Sequence, residues 1–199
     1  MQFMKVDQIM FDPRLQMSRI FVEGFYQWLK YFSKDKDKLS QAVSHMFNMN
    51  CFFVAVEDDE IITFTACSDG KVPSVRLKRE PICESLGWIR GNIAYITLKK
   101  HLTGRCYPFE FTGNMGSIEF VTTAEKHRKR GAAFGLISFI MENTCYREYV
   151  LEVADTNDVA MRLYKRLGFD ELKRVPAPKK SGINYFVYMK KIQGSMVCV

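Results

Sequence analysis

Apolar residues recur at helical spacing in the first part of the chain. Within residues 13–32, the apolar residues that recur at this spacing include Leu15, Ile20, Phe21, Phe25, Trp28, Leu29 and Phe32. Their spacing predicts an amphipathic helix with an aromatic-rich buried stripe. The charged segment SKDKDK that follows predicts a solvated turn, and residues 38–47 predict a second, shorter helix. A pair of N-terminal helices is therefore expected at about residues 13–47.

Two strand-like segments come next. Residues 51–57 (CFFVAVE) and 61–67 (IITFTAC) are rich in β-branched and aromatic residues, and three acidic residues separate them. This pattern predicts a hairpin with a tight turn. The region at about residues 71–115 is interpreted as an insertion. It contains one predicted helix, residues 84–102, preceded by the helix-start signal Arg79-Glu80-Pro81.

Strands and helices alternate in the second half of the chain. Strands are predicted at residues 117–123, 147–155, 169–175 and 183–191, and helices at residues 134–144 and 157–167. A βαβαβ succession followed by one more strand predicts an α/β domain with at least one parallel strand pair. Because no repeat or linker interrupts the chain, residues 1–199 are expected to form a single domain.

Composition narrows the class of protein. The 199 residues are 47% hydrophobic and 26% charged, which argues against disorder. No run approaches the ~18 apolar residues of a spanning helix, and the N-terminus lacks the apolar core of a secretory signal. A cytoplasmic protein is the expectation.

The six cysteines form no CxxC and the three histidines lack metal-ligand spacing, so we expect buried reduced thiols and no metal site.

A basic loop precedes the predicted helix of residues 134–144. It contains three cationic residues and then three small ones: Arg128, Lys129, Arg130, Gly131, Ala132 and Ala133. The first amides of a helix have no partner within it, and the helix dipole is positive at that end. The loop therefore suits a pyrophosphate, although by itself it is equally compatible with a solvated turn. The formal net charge of +7 also suits an anionic partner, whether phosphorylated cofactor, nucleic acid or phospholipid.

Residues 118–169 resemble the core of the GNAT superfamily of N-acetyltransferases. RKRGAA, residues 128–133, matches the family's [Q/R]-x-x-G-x-[G/A] loop, and NDVAMRLY, residues 157–164, matches its N-x-x-A-x-x-L-Y segment. The tripeptide LGF follows at residues 167–169. The resemblance implies a GNAT fold, that is, a mixed, mostly antiparallel central sheet with a splayed parallel strand pair, flanked by helices. The core would span about residues 117–170.

The resemblance also implies acetyl-CoA as donor, no metal, and transfer of the acetyl group to a primary amine by direct attack. In the family, the backbone of the fourth strand runs beside the pantetheine arm, loop amides bind the diphosphate and an asparagine side chain bonds the pantetheine. The matching positions here are Val121, Thr122, Thr123, Arg128, Lys129, Arg130, Gly131, Ala132, Ala133, Phe134, Asn157 and Tyr164.

Three residues are catalytic candidates. Tyr164 matches the family's usual general acid, and a phenol with a reference pKa near 10 can protonate a departing thiolate. Glu152, in LEVADTN, resembles the proton acceptor of bacterial ribosomal-protein alanine N-acetyltransferases. Glu119, on the strand of residues 117–123, is the second candidate for the base. The residues alone do not choose between the two carboxylates.

Other functions stay open at this point. Some relatives carry an acid where this chain has Met115, so a non-catalytic acyl-CoA-binding or regulatory protein is the alternative. Nucleic-acid binding ranks third, since no nucleic-acid motif is present. The expected partners are acetyl-CoA and an amine acceptor, with a homodimer as one assembly and with no nucleic acid or membrane. The insertion is expected to shape the acceptor pocket, and the acidic residues 57–60 could attract a cationic amine.

Overall fold

A seven-stranded sheet forms the centre of the molecule. The structure, a computed structural model, describes residues 1–103, 107–179 and 182–193. The strands are β1 (Gln2–Lys5), β2 (Phe52–Glu57), β3 (Glu60–Ser68), β4 (Met115–Thr123), β5 (Glu148–Ala154), β6 (Asp170–Pro176) and β7 (Tyr185–Ile192). Their order across the sheet is β1-β2-β3-β4-β5-β7-β6, and every neighbouring pair is antiparallel except the parallel pair β4–β5.

Helices cover both faces of the sheet. They are α1 (Arg14–Leu29), α2 (Lys36–Val43), α3 (Arg79–Leu86), α4 (Trp88–Leu102), α5 (Ala132–Asn143) and α6 (Asp158–Arg166). One core joins α1 and α2 to the sheet through residues such as Phe21 and Phe64. A second core, around Leu136 and Tyr149, joins α5 to the opposite face. The fold is thus a three-layer arrangement with the sheet in the middle.

Most predicted elements are confirmed, but four details of the predictions are wrong. The single inserted helix is two helices, because Gly87 between α3 and α4 adopts a left-handed φ of 80°. Part of SKDKDK belongs to α2, since the Asp35 side chain accepts bonds from the amides of Asp37 and Lys38. Helix α5 begins two residues early, at Ala132. Strand β1 was not predicted at all.

The predicted hairpin of β2 and β3 is confirmed. Asp58 and Asp59 form its turn with φ values of 50° and 59°, a conformation that short acidic side chains tolerate. Of the four cysteines that the structure describes, Cys51 and Cys67 have the expected buried thiols. Cys145 is exposed and Cys83 half-buried, while Cys106 and Cys198 lie outside the described residues.

Strands β4 and β5 pair over only part of their length. Their register runs from Met115 opposite Glu148 to Ile118 opposite Leu151. Beyond that point β4 bulges at Phe120, whose φ is 56°, and its register with β3 shifts. Strand β5 continues to pair with β7 as far as Ala154. The two parallel strands therefore splay apart, as the resemblance implied.

Candidate active site

The splay leaves one edge of β4 open. After the bulge, β4 remains paired with β3, and the Thr63 hydroxyl donates to the Thr122 carbonyl at 2.7 Å. On the other side, no register between β4 and β5 extends to Val121, Thr122 or Thr123. Backbone groups on an unpaired strand edge can bond an extended ligand as a further strand would. This stretch is thus geometrically open to an extended, amide-containing chain.

The N-terminus of α5 follows the splayed end of β4. Gly131 caps the helix with a left-handed φ of 79°, and no side chain occupies the cap. A Cβ at this position would meet no atom within 4 Å, so the space above Gly131 is open. The first amides of α5 have no acceptor within the helix. The open space and these amides suit an anion such as a diphosphate.

The β2–β3 hairpin lies against this basic loop. Arg130 donates to the Glu57 carboxylate at 2.9 and 3.2 Å, which lowers the pKa of Glu57. Lys126 lies 2.6 Å from Glu60 and lowers the pKa of that carboxyl group. Glu57 and Glu60 are thus paired with cations of the basic loop, and attraction of an amine by residues 57–60 stays a prediction.

Helix α6 carries two of the predicted residues. Asn157 caps the helix, its Oδ1 accepting from the Ala160 amide at 3.1 Å, while its side chain stays exposed. Tyr164, almost two turns further on, is only 6% exposed and packs edge-on against Phe169. Burial raises the pKa of Tyr164 well above its ordinary value. The phenol is therefore held in the protonated form that a general acid requires.

Two carboxylates lie where the strands part. Glu119 and Glu152 each follow the last residue of the β4–β5 register, so they lie at the same level of the sheet. Glu119 is buried and accepts hydrogen bonds from Ser74 at 2.6 Å, Ser117 at 2.9 Å and Ser68 at 3.4 Å. Glu152 is half-buried, and its Oε2 accepts a bond from the Tyr188 hydroxyl at 2.7 Å.

An aromatic segment of the insertion packs beside these carboxylates, and the sequence analysis missed it. The rings of Tyr107 and Phe109 lie 6.2 and 5.8 Å from that of Tyr188, both edge-on. The Tyr107 hydroxyl is hydrogen-bonded to Ser117, and Lys173 donates to the Pro108 carbonyl at 2.7 Å. The aromatic density of YPFEF, residues 107–111, was the available signal.

Comparison with known proteins identifies the class. The sequence profile of the acetyltransferase (GNAT) family matches residues 15–169, and the chain belongs to this family. A search of curated proteins finds no match to the sequence.

Solved structures agree with the fold. An N-acetyltransferase from Staphylococcus aureus is 14% identical over 96% of this chain and 100% of its own, with a TM-score of 0.61. A GNAT acetyltransferase from Bacillus cereus is 10% identical over 98% of each chain, with a TM-score of 0.57. An aminoglycoside 6'-acetyltransferase type Ii is 12% identical over 96% of this chain and 97% of its own, with a TM-score of 0.56. At these identities the likeness concerns the fold alone.

The described residues contain neither a membrane-spanning helix nor a cluster of metal ligands. None of the helices there is both long and apolar enough to cross a bilayer. Within residues 1–103, 107–179 and 182–193, no group of three His, Cys, Asp or Glu side chains could hold a metal ion.

Proposed function

We propose that the protein is an acetyl-CoA-dependent N-acetyltransferase that moves an acetyl group to a primary amine by direct attack. The observation that carries the proposal is the open edge of β4, which leads through the loop of residues 124–131 to the N-terminus of α5, where no side chain bonds the first amides. An extended arm bonded along Val121, Thr122 and Thr123 would bring its diphosphate to the amides of residues 129–134. Membership of the acetyltransferase family supports this use of the cleft.

The loop side chains would contribute unequally to binding. Arg130 is already paired with Glu57, whereas Arg128 has only a 3.4 Å contact to the Thr123 carbonyl. Lys129, in a left-handed conformation, forms no ion pair with any of the described residues. We therefore assign most of the side-chain attraction for phosphate to Arg128 and Lys129, with Asn157 placed to bond the pantetheine arm through its amide nitrogen.

We assign the base to Glu152. Its Oε2 accepts from Tyr188, and its partly exposed carboxylate keeps an oxygen for an amine or a water. Glu119 is buried and accepts hydrogen bonds from three serine hydroxyls, so we assign it to positioning the acceptor and not to removing its proton.

The proposed transfer uses two side chains, Glu152 and Tyr164, and a thioester supplied by acetyl-CoA. Glu152 accepts a proton from the attacking amine as the C–N bond forms. Tyr164 donates its proton to the sulfur as the C–S bond breaks. Burial raises the pKa of the thiol of Cys67 and of Cys51, so neither is a ready nucleophile for an acetyl-enzyme step.

The first test is calorimetric titration of acetyl-CoA into wild type, Gly131→Glu and the control Gly113→Glu. A Cβ added at either glycine would meet no atom within 4 Å, but only Gly131 lies at the proposed diphosphate site. We expect micromolar binding by wild type and the control, and a loss of at least about 100-fold in Gly131→Glu. No binding by wild type would overturn the assignment of the donor.

Turnover is tested separately by thiol release from acetyl-CoA with a panel of amines. The panel contains aminoglycosides, peptides with free N-termini and lysine peptides. Release of CoA with one class supports the proposed reaction. Tight binding of acetyl-CoA with no release across the panel would support a non-catalytic acyl-CoA-binding protein.

A further inference from the structure

Helix α4 exposes apolar side chains on the face turned away from the protein. Gly91, Ala94 and Leu98 form its buried side. Ile89, Ile93 and Ile96, at i, i+4 and i+7, are 69%, 55% and 66% exposed, and they form what we call the isoleucine stripe. At 100° per residue the stripe lies opposite the buried side. Trp88, 72% exposed, stands at the N-terminal end of the helix.

This arrangement is unusual for a helix on a protein surface. Such helices bury one apolar side and turn polar residues to water. Here both sides are apolar, and exposed apolar side chains gathered on one helix mark an interaction surface more often than isolated ones do.

The charges around the stripe indicate an anionic partner. Helix α4 has no Asp or Glu in its 15 residues but carries Arg90, Lys99, Lys100 and His101. Helix α3 adds Arg79, whose Nε donates to Asn92 Oδ1 at 2.5 Å, and it also carries the exposed carboxylates of Glu80 and Glu84. The cations still outnumber the anions on these two helices. Two copies joined stripe to stripe would bring these cationic groups together in either orientation. The charge pattern therefore disfavours a second copy of the chain as the occupant.

We propose that α4 docks the protein on a membrane surface rich in anionic phospholipid. The isoleucine stripe would enter the boundary between headgroups and acyl chains, with Trp88 at the interface and Lys99 and Lys100 on lipid phosphates. The isoleucine side chains are more than half exposed, and a fluid lipid surface can accommodate them without a preformed pocket. This departs from the sequence-based expectation of no membrane partner, because spacing alone did not show which isoleucines face outward.

The test is co-sedimentation with vesicles of phosphatidylcholine alone or mixed in equal parts with phosphatidylglycerol. The stripe variant is Ile89→Ser/Ile93→Ser/Ile96→Ser. Its matched control is Met10→Ser/Leu172→Ser/Ile192→Ser, which removes three exposed apolar side chains on other elements (99%, 40% and 68% exposed). Thermal unfolding and acetyl-CoA binding of every variant establish that the fold is intact.

We expect wild type and the control to bind the anionic vesicles and the stripe variant to lose at least about tenfold in partitioning. Lys99→Gln/Lys100→Gln should weaken binding severalfold, and added salt should do the same. Three results would each overturn the proposal: no vesicle binding by wild type, equal binding to both vesicle types, or a wild-type dimer that the stripe variant dissociates. Neither vesicle binding nor its loss depends on turnover, so the result is independent of the proposed reaction.

Discussion

Tyr164 is the residue whose environment bears most directly on the proposed chemistry. Its ring is buried, yet none of the described residues accepts a hydrogen bond from its hydroxyl. Tyr164→Phe should therefore change the free energy of unfolding by less than about 0.5 kcal/mol and lower kcat by roughly 100-fold. Unchanged kcat in the variant would contradict the role of Tyr164 as the acid.

The pH dependence follows from the same burial. A general acid fails as pH rises through its pKa, and burial raises the pKa of Tyr164 well above its ordinary value. The Tyr164 hydroxyl should thus keep its proton at the highest pH of the kinetic assay. We expect the wild-type kcat to show no fall up to about pH 10. A fall in kcat near pH 8 that Tyr164→Phe abolishes would contradict this.

The two carboxylates can be separated by substitution. Glu152→Gln should lower kcat by roughly 100-fold or more, because the amide cannot take a proton from the amine. Glu119→Gln should act mainly on the acceptor KM and on stability, since three serine hydroxyls donate to the Glu119 carboxylate. Steady-state kinetics with thermal unfolding distinguishes these effects. If Glu119→Gln instead lowered kcat and Glu152→Gln acted mainly on KM, Glu119 would be the base.

At the scale of elements, the contact between the β2–β3 hairpin and the basic loop tunes the proposed phosphate site. Glu57→Gln removes a negative charge beside the loop and releases Arg130. We expect acetyl-CoA affinity to rise roughly two- to fivefold at low salt, with a smaller gain at high salt. The control Glu84→Gln removes an exposed charge from α3 and should change nothing. Weaker binding in Glu57→Gln would show that the pair instead positions Arg130 for the ligand.

Helices α3 and α4 approach each other at Gly91. A Cβ there would lie 2.5 Å from the Cys83 Cα and 3.0 Å from its amide nitrogen. Helix propensity alone favours alanine by about 1 kcal/mol, whereas the backbone clash should destabilise by about 1–3 kcal/mol. We expect Gly91→Ala to be destabilising in denaturant unfolding. Gly113→Ala, with no neighbour within 4 Å, should have little effect, and a stabilised Gly91→Ala would contradict the close packing.

For the whole molecule, the two cores share one sheet and should unfold together. Phe64, on β3, faces the α1–α2 side, whereas Leu136, on α5, packs against the opposite face of the sheet, and both are fully buried. Phe64→Ala should cost about 3–5 kcal/mol and Leu136→Ala about 2–5 kcal/mol. In each variant, circular dichroism and tryptophan fluorescence should report one coincident transition. Since Trp28 and Trp88 lie on helices α1 and α4, a fluorescence transition that shifts only with Phe64→Ala would reveal independent units.

Local patterns explain what the sequence predicted well. Apolar spacing identified α1, an apolar run identified α5, β-branched and aromatic residues identified β2 and β3, and the motifs around Gly131 and Asn157 indicated the family. Each of these signals lies within a short stretch of chain, because helix periodicity, strand alternation and helix capping depend on neighbouring residues. The sequence by itself therefore determined the class of fold, the family and the candidate cofactor residues.

Only the tertiary structure decided which distant residues meet. Strand β1 is defined by its pairing with β2, some fifty positions along the chain. Arg130 meets Glu57 across 73 positions and Glu119 meets Ser74 across 45. The exposed side of α4 is likewise set by the elements packed on its other side, not by its own spacing. Such contacts depend on how the elements pack, so the charge around the phosphate loop and the surroundings of the two carboxylates could be described only from the fold.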